Sequence, residues 1–537
     1  MQNTHQAISA EYVINTVWNF MNHVRGNFSI GEIFTPTLTV LYAIHKGYSI
    51  HVYDNHRLEF LLNDDKLYRD LVDLVPNDKH LHAAMCLFIR ELTFINRSEL
   101  NSVYVEVLRG LFDLVSSSSG REVGEFYTPL AITKLMAYIV NKEQCVKIYD
   151  PFCGTASIVH ELSQFMGLPI FSGQELNYKT SIYARINAEA LYGNDECIVN
   201  VDSIRRWDSY SYDAIVSCPP FGMRLTQEQL YEARHTTPEC PCRSYEEIIL
   251  TRPFYCNHAK LAVTLLQTSF CFRGSRDYEI RRELVEHNFL DTIIALPANI
   301  LYGTSIPSII MVCRRGRNQN EPIKFIHAED YFLGDRRKRT FDYERFIEMI
   351  EGDACDIAKV SINEIRRYDY NLNPSLYYKM DYDLKDGQKV VRIEELISPV
   401  EGNRIPSTDV KDFVSIGNLS SNFIEVLLNN GKSSIPSEVR RNINYRAIGA
   451  SNDKYLLSVT NALESRFGIS TNGTGFVCSV EIKVYKVNEN LVTPEFLAYT
   501  LINHKAISKG RMPLSGYMML PVVIDSLENQ KELVNRE

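Results

Sequence analysis

The sequence predicts an α/β fold, with a Rossmann-like parallel sheet in the middle of the chain, a helical domain before it and a mixed α/β domain after it. Three observations carry this. From Val146 onward, short apolar runs alternate with helical stretches, the pattern of a parallel sheet with crossover helices. Before about residue 115 the apolar residues recur at helical spacing, as in Leu100 to Leu114, with few β-branched runs. Past about residue 380 strands and polar loops mix without an alternating βα period. The expected divisions are therefore residues 1–115, 116–378 and 379–537. The serine run from Ser116 to Gly120 reads as the first breaker.

Within the middle segment the strand candidates are Val146 to Tyr149, Ile170 to Ser172, Ile198 to Val201, Ala214 to Val216, Leu261 to Leu266, Thr292 to Leu296 and Ser308 to Val312. These are short apolar runs that alternate with helical stretches. Composition allows this architecture. A chain of 537 residues with 45% hydrophobic content can bury two or three separate cores. No apolar run reaches the roughly 18 residues of a membrane span, and the N-terminus lacks a signal-peptide pattern. The 12 cysteines are scattered, which argues for reduced thiols and a cytoplasmic location. With 57 Lys and Arg against 66 Asp and Glu, the net charge is −9, so any contact with nucleic acid must come from local basic patches or a partner.

Two motifs in fixed order carry the chemistry. Asp150-Pro151-Phe152-Cys153-Gly154-Thr155 follows the first strand candidate, where open α/β sheets bind ligands, and Gly154 lets the backbone approach a ligand closely. Glu175 ends the second strand candidate, where an acidic residue can accept hydrogen bonds from both hydroxyls of a ribose. Neither Gly-x-x-x-x-Gly-Lys-Ser/Thr nor Gly-x-Gly-x-x-Gly occurs at Asp150, which excludes a nucleotide phosphate loop and a dinucleotide fingerprint there. The second motif is Ser217-Cys218-Pro219-Pro220-Phe221, and Phe126-Tyr127-Thr128-Pro129 lies upstream of both.

These motifs resemble those of DNA adenine-N6 methyltransferases, in particular the methylation subunits of type I restriction-modification systems. Phe126 to Pro129 is similar to that family's Phe-Tyr-Thr-Pro segment, Asp150 to Thr155 to its donor loop, and Cys218 to Phe221 to its (Asn/Asp/Ser)-Pro-Pro-aromatic motif at three of four places. Leu296 to Pro307 is similar to the segment after the sixth strand, and Asn371 to Tyr377 to the segment leaving the catalytic domain. The likeness covers about residues 100 to 375. It implies S-adenosylmethionine as cofactor, held by Glu125, Phe126, Tyr127, Thr128 and Pro129, by Asp150, Gly154, Thr155, Ala156 and Ser157, and by Glu175, Asp202 and Ser203. Phe126 and Tyr127 would face its methionine end and Asp202 its adenine. It implies double-stranded DNA as partner, and it admits separate specificity and restriction subunits of a type I system. From Val391 to the final Gln530 helix, the C-terminal part resembles a target-recognition domain of a type I specificity subunit.

The resemblance also implies catalytic roles for Cys218, Pro219, Pro220 and Phe221. The exocyclic amine of adenine is a poor nucleophile because its lone pair is delocalised into the ring. Two acceptors against its hydrogens make the nitrogen more nearly tetrahedral, and an aromatic residue stacks on the extruded base. Pro219 retains the carbonyl and Phe221 the ring. Cys218 departs from the pattern, since sulfur is a weak acceptor and a thiol a weak donor. Two readings follow: an enzyme attenuated at Cys218, or an inactive module that binds donor or DNA without turnover.

Other features count for less. Pro241-Cys242 has the local order of a cytosine-C5 methyltransferase nucleophile, but the rest of that pattern is missing and the Pro-Pro-Phe block would go unexplained. His235, Cys240, Cys242, Cys256 and His258 are dense in soft ligands yet lack a standard zinc spacing, so no metal is expected. Arg336 to Arg339, with Arg314, Arg315 and Arg317, reads first as solvated loop and second as a phosphate contact. Gly31 to Pro36 echoes the Phe-Tyr-Thr-Pro segment by chance, because no donor loop follows it.

Overall fold

The computed structural model describes residues 8–53, 57–92, 95–119, 127–236, 242–301, 304–333, 340–352, 357–377, 384–405, 414–428, 445–460, 465–470, 475–504, 507, 514–518 and 520–536. Glu125, Phe126, Cys240, Pro241 and the run Arg336 to Arg339 fall outside the described residues. The chain forms two compact units, which divide near residue 372.

The first unit opens with helices α1 (Ala10–Val24), α2 (Ile30–Lys46), α3 (Lys66–Asp73), α4 (Lys79–Leu92) and α5 (Arg97–Ser119). A short antiparallel pair, Ile50–Val52 with Leu58–Phe60, interrupts them. The Gly31 to Pro36 echo lies inside α2, whose N-terminus is a capping box: Ser29 accepts from the Glu32 amide, and Glu32 from the Ser29 amide. The serine run is helical through Ser119 rather than a breaker, because Val115 and Ser116 are buried on the face α5 turns inward. The helical core takes in residues from beyond it: Tyr127, Ile182, Tyr183 and Ile186 pack into the same cluster as Phe34 and Phe112. Thr35 and Tyr183 hydroxyls hydrogen-bond at 2.6 Å.

The sheet that follows has nine strands: β1 (Lys147–Asp150), β2 (Ile170–Glu175), β3 (Ile198–Asn200), β4 (Ala214–Ser217), β5 (Leu261–Gln267), β6 (Leu290–Ala295), β7 (Ser308–Arg314), β8 (Ile323–His327) and β9 (Ile357–Val360). Their order is β9-β8-β6-β7-β5-β4-β1-β2-β3. β7 runs antiparallel to β5 and β6, while β1, β2, β3, β4 and β5 are parallel. Every expected strand is present, with ends shifted by a few residues, and β8 and β9 are additional. The near-continuous burial of β4, β5 and β6 is what helices on both faces require. Helix α6 (Leu130–Lys142) precedes β1, and α7 (Ile158–Met166), α8 (Tyr178–Tyr192), α9 (Gln227–Thr236) and α10 (Tyr245–Tyr255) lie between β1 and β5 in the sequence. The chain runs outward one way from β1 to β3, then restarts at β4. The carboxyl ends of β1 and β4 therefore border a topological switch point, the usual ligand crevice of such sheets.

The second unit is built from small antiparallel sheets. Lys389–Arg392 pairs with Pro521–Ile524, a four-stranded sheet is centred on Lys483–Val487 and Tyr455–Thr460, and a three-stranded sheet is centred on Tyr445–Ile448. Its core includes Leu457, Cys478, Ile482 and Val484. Gln530, fully buried in the last helix, accepts from the Thr493 amide at 2.9 Å and donates to the carbonyls of Leu491 and Asp525. It fastens that helix to the loop before Pro494–Asn503.

Ion pairs join the N-terminal helices to the helices around the sheet: Lys46 with Glu189, Asp70 with Arg185, and Arg109 with Glu161. Arg109 of α5 donates from Nε and Nη2 to both oxygens of Glu161 on α7, at 2.6 and 3.1 Å. Glu161 is 1% exposed and Arg109 31%. Arg109→Met would leave a buried carboxylate unpaired and should lower the unfolding free energy by about 2–3 kcal/mol, less than for a fully enclosed pair. Adding Glu161→Gln should recover part of that loss in a denaturant titration. A double variant no more stable than Arg109→Met would contradict the assignment.

Candidate functional site at the β1–β4 crevice

β1 ends at Asp150 because the chain must turn at Pro151. Asp150 is 5% exposed, and its Oδ1 accepts from the Phe152 amide at 3.0 Å and from the Ser217 hydroxyl at 2.9 Å. Ser217 is the last residue of β4, so a single carboxylate oxygen ties the donor-type loop to the start of the Cys-Pro-Pro-Phe segment. Burial, aided by Glu175, pushes the Asp150 carboxyl up to about 7, against the two hydrogen bonds that favour its charged form.

The loop is held in a tight form. Gly154 and Ala156 both have positive φ, 54° and 57°, and the Ala156 amide donates to the Cys153 carbonyl at 2.7 Å. Glycine suits the first position; alanine at the second is strained and is retained by its surroundings. Glu175 accepts from the Gly154 amide at 3.1 Å through Oε2 and from the Asn177 amide at 2.7 Å through Oε1, and burial raises its carboxyl above the usual range. Asn187 of α8 donates to the Thr155 carbonyl at 2.7 Å, and its own oxygen meets His160 Nε2 at 3.1 Å. Thr155 Oγ1 is buried and has no hydrogen-bond partner among the described residues. An unpaired hydroxyl beside two such turns suits a polar ligand that would complete it.

Asp202 follows β3. Its Oδ1 accepts from the Ile204 amide at 2.9 Å and its Oδ2 from Gln229 Nε2 at 3.0 Å. Behind it, Arg252 is fully buried and donates to the Ile204 carbonyl at 3.0 Å, with its guanidinium 5.1 Å from the Trp207 ring centre. Ser203 is buried, as is Tyr127, which stacks on Phe112. The expected donor residues from Asp150 to Ser157 and Glu175 thus gather around one loop, and Asp202 stands at the carboxyl end of a neighbouring strand. Glu125 and Phe126 lie outside the described residues.

In the second motif, Pro219 is buried, and Cys218 and Phe221 are half-buried. The Cys218 thiol points to Met136 Sδ of α6 at 3.8 Å. Burial pushes that thiol up to about 12, with a hydrogen bond from the Thr128 side chain working the other way. It is therefore protonated at neutral pH and offers no thiolate acceptor. Thr128 and Met136 form the wall that connects the Phe-Tyr-Thr-Pro segment to the base motif. Sequence reading missed Asn187, Gln229 and Tyr245 as members of this site, and placed Ser217 in the second motif without a role. Ser217 had a signal in its place at the end of a strand; Gln229 sits in a polar helix with nothing to mark it. Among the described residues no group of His, Cys, Asp and Glu is placed to hold a metal, and the Cys242 thiol meets the Thr251 hydroxyl at 3.3 Å.

The N-6 DNA methylase family matches residues 101–386, more than half of the 537-residue chain, and the chain belongs to that family. The methylase subunit of the type I restriction enzyme MpnII of Mycoplasma pneumoniae is 22% identical over 373 residues, which span 63% of this chain and 68% of that protein. The MjaVII methylase subunit of Methanocaldococcus jannaschii is 27% identical over 329 residues, 52% of this chain and 56% of that protein. The match to its MjaVIII methylase subunit, at 26% identity, spans 49% of that relative, so the chain covers from about half to two thirds of these curated proteins. Among solved structures, the type I methyltransferase subunit from Streptococcus thermophilus is similar with a TM-score of 0.57 at 20% identity, over 70% of this chain and 100% of that one. That likeness concerns the fold.

The Asp150 carboxyl gives a pH-dependent test. Its folded-state value lies above the ordinary 3.8, so the folded chain binds the extra proton between about pH 4 and 7, and this group's contribution to stability falls as pH rises through that window. Asp150→Asn keeps an acceptor for Phe152 and Ser217 without the buried charge. Its stability relative to the native chain should grow by about 2–3 kcal/mol between pH 5 and pH 8. A difference that does not change with pH in thermal melts would show that Asp150 is ionised throughout.

Proposed function

We propose that this chain is a site-specific DNA methyltransferase that transfers a methyl group from S-adenosylmethionine to adenine N6 in double-stranded DNA, as part of a restriction-modification system. The observation that carries the reading is the crevice itself: in a member of the N-6 DNA methylase family, the donor-type loop and the Pro-Pro-Phe motif meet at the switch point through the Asp150–Ser217 hydrogen bond. When bound, S-adenosylmethionine supplies an electrophilic methyl group. The residues that would hold it are Tyr127, Thr128, the Asp150 to Ser157 loop, Glu175 and Asp202. Asp150 orients the loop amides, and Glu175 fixes Gly154 while keeping lone pairs for hydroxyl donors.

On the acceptor side, the Pro219 carbonyl would take one N6 hydrogen and Phe221 would stack on the base once it leaves the duplex. Cys218 would sit where the second acceptor belongs and give a weak one. The C-terminal part, expected over residues 379–537 and lying within the second unit, is proposed to read the target sequence, as a recognition domain does through a few side chains on loops. Separate specificity and restriction subunits are proposed as partners by analogy with the type I relatives. The protonated Cys218 thiol favours a second reading, a module that binds donor and DNA without turnover.

Donor binding is tested by isothermal titration with S-adenosylmethionine. Asp150→Ala and Glu175→Ala should each weaken it, and unaltered affinity in both would defeat the pocket. Turnover is tested by tritiated methyl incorporation into DNA carrying the cognate site. Cys218→Asn should raise the rate about ten- to hundredfold, the worth of a hydrogen bond of about 1–3 kcal/mol regained in the transition state, with the flexible Met136 yielding to the larger side chain. Phe221→Ala should lower it. An undetectable rate in both the native chain and Cys218→Asn would favour the binding module.

A further inference from the structure

The segment between β4 and β5 reaches back over the donor side of the crevice. Gln229 of α9 is 4% exposed, and its Nε2 donates at once to Asp202 Oδ2 at 3.0 Å and to the Tyr245 hydroxyl at 2.9 Å. Its Oε1 is fixed in turn by the Thr226 amide at 3.0 Å. Tyr245, at the start of α10, packs its ring against Phe152 of the donor loop at 5.3 Å between centres, and its hydroxyl lies within the electrostatic reach of both Glu175 and Asp202. A small apolar cluster of Ile204, Leu225, Ala233 and Ile248 holds the two helices in this position. Three separate donor elements therefore converge on two side chains that follow the base motif in the sequence.

We propose that Gln229 and Tyr245 are positioning residues that set the enzyme's preference for the adenine of its donor, by locking Asp202 in the orientation that accepts from the adenine amine. Asp202 Oδ1 is held by the Ile204 amide and Oδ2 by Gln229, so the carboxylate plane cannot rotate, and the remaining lone pairs keep a fixed direction. A purine with an amine at position 6 donates to such an oxygen. A purine with a carbonyl there meets it lone pair to lone pair. Without Gln229 the carboxylate can turn about its last torsion, and the difference between the two purines shrinks. The inference rests on the donor assignment above, and it extends that assignment to residues outside the family motifs.

The test uses the full chain and two product-type probes, S-adenosylhomocysteine and S-inosylhomocysteine, which differ at one edge of the purine: a 6-amine beside an acceptor N1 in the first, a 6-carbonyl beside N1–H in the second. By isothermal titration the native protein should favour the adenosyl compound by about tenfold or more. In Gln229→Leu, which keeps the volume and removes all three side-chain hydrogen bonds, the ratio should fall to within about threefold, chiefly through weaker adenosyl binding. Tyr245→Phe keeps the ring against Phe152 and removes one partner of Gln229; it should lower the ratio by a smaller factor, and it decides the matter should the leucine variant fail to fold. A native ratio in a folded Gln229→Leu, or in Tyr245→Phe when that variant alone is folded, overturns the inference while leaving the donor site intact. Failure of the native chain to bind either probe overturns the donor assignment and this inference with it.

Discussion

The site depends on one hydrogen-bonded carboxylate oxygen. Asp150 Oδ1 receives the Phe152 amide, which starts the loop after β1, and the Ser217 hydroxyl, which ends β4. Adjacent strands on either side of a switch point diverge beyond their last backbone bonds, and the register of β1 with β4 ends at Tyr149 and Ile215. Beyond that register the Asp150–Ser217 bond continues the connection. It sets where the loop begins and where the Cys-Pro-Pro-Phe segment leaves the sheet, and hence how far apart a donor and a base would lie.

Holding a carboxyl in that position has a cost, and the surrounding residues share it. Glu175, the neighbouring acid, is itself occupied by the Gly154 and Asn177 amides. Asn187 fixes the Thr155 carbonyl from below, which allows Ala156 to remain in a left-handed conformation that a residue with a Cβ rarely adopts. The loop is thus organised by side chains from β1, β2 and α8, and among the described residues Thr155 Oγ1 and the nearby His160 Nδ1 stay unsatisfied. Cys218 stands a residue beyond Ser217 in a sulfur-lined wall with Met136, where burial keeps its thiol neutral.

Much of this architecture was legible in the sequence because its strands are buried on both faces, so they read as unbroken apolar runs such as Ala214 to Val216. The acids that end β1 and β2 were legible for a related reason, since a charged residue at the end of an apolar run marks the edge of the sheet. β8 and β9 escaped because a charge interrupts each, Lys324 in one and Lys359 in the other, as suits strands toward the sheet edge. The serine run misled because α5 is long enough to carry Val115 and Ser116 to buried positions, beside a core that also includes Tyr183, which is far from them in the sequence. Gln229 and Tyr245 were invisible for the same physical reason. Their roles come from contacts with Asp202 and Phe152, and no local spacing encodes those.

Methyl transfer to adenine in DNA leaves a permanent mark on the genome, so the decisive measurement is made on cellular DNA. DNA from a strain carrying the gene, and from one lacking it, should be digested to nucleosides and examined by mass spectrometry for N6-methyladenine, with long-read sequencing to locate the modified positions. N6-methyladenine should be confined to one recurring sequence in the strain that carries the gene, and that sequence should be unmethylated in the deletion strain. Identical methylation in the two strains, with any specificity partner expressed in both, would contradict it.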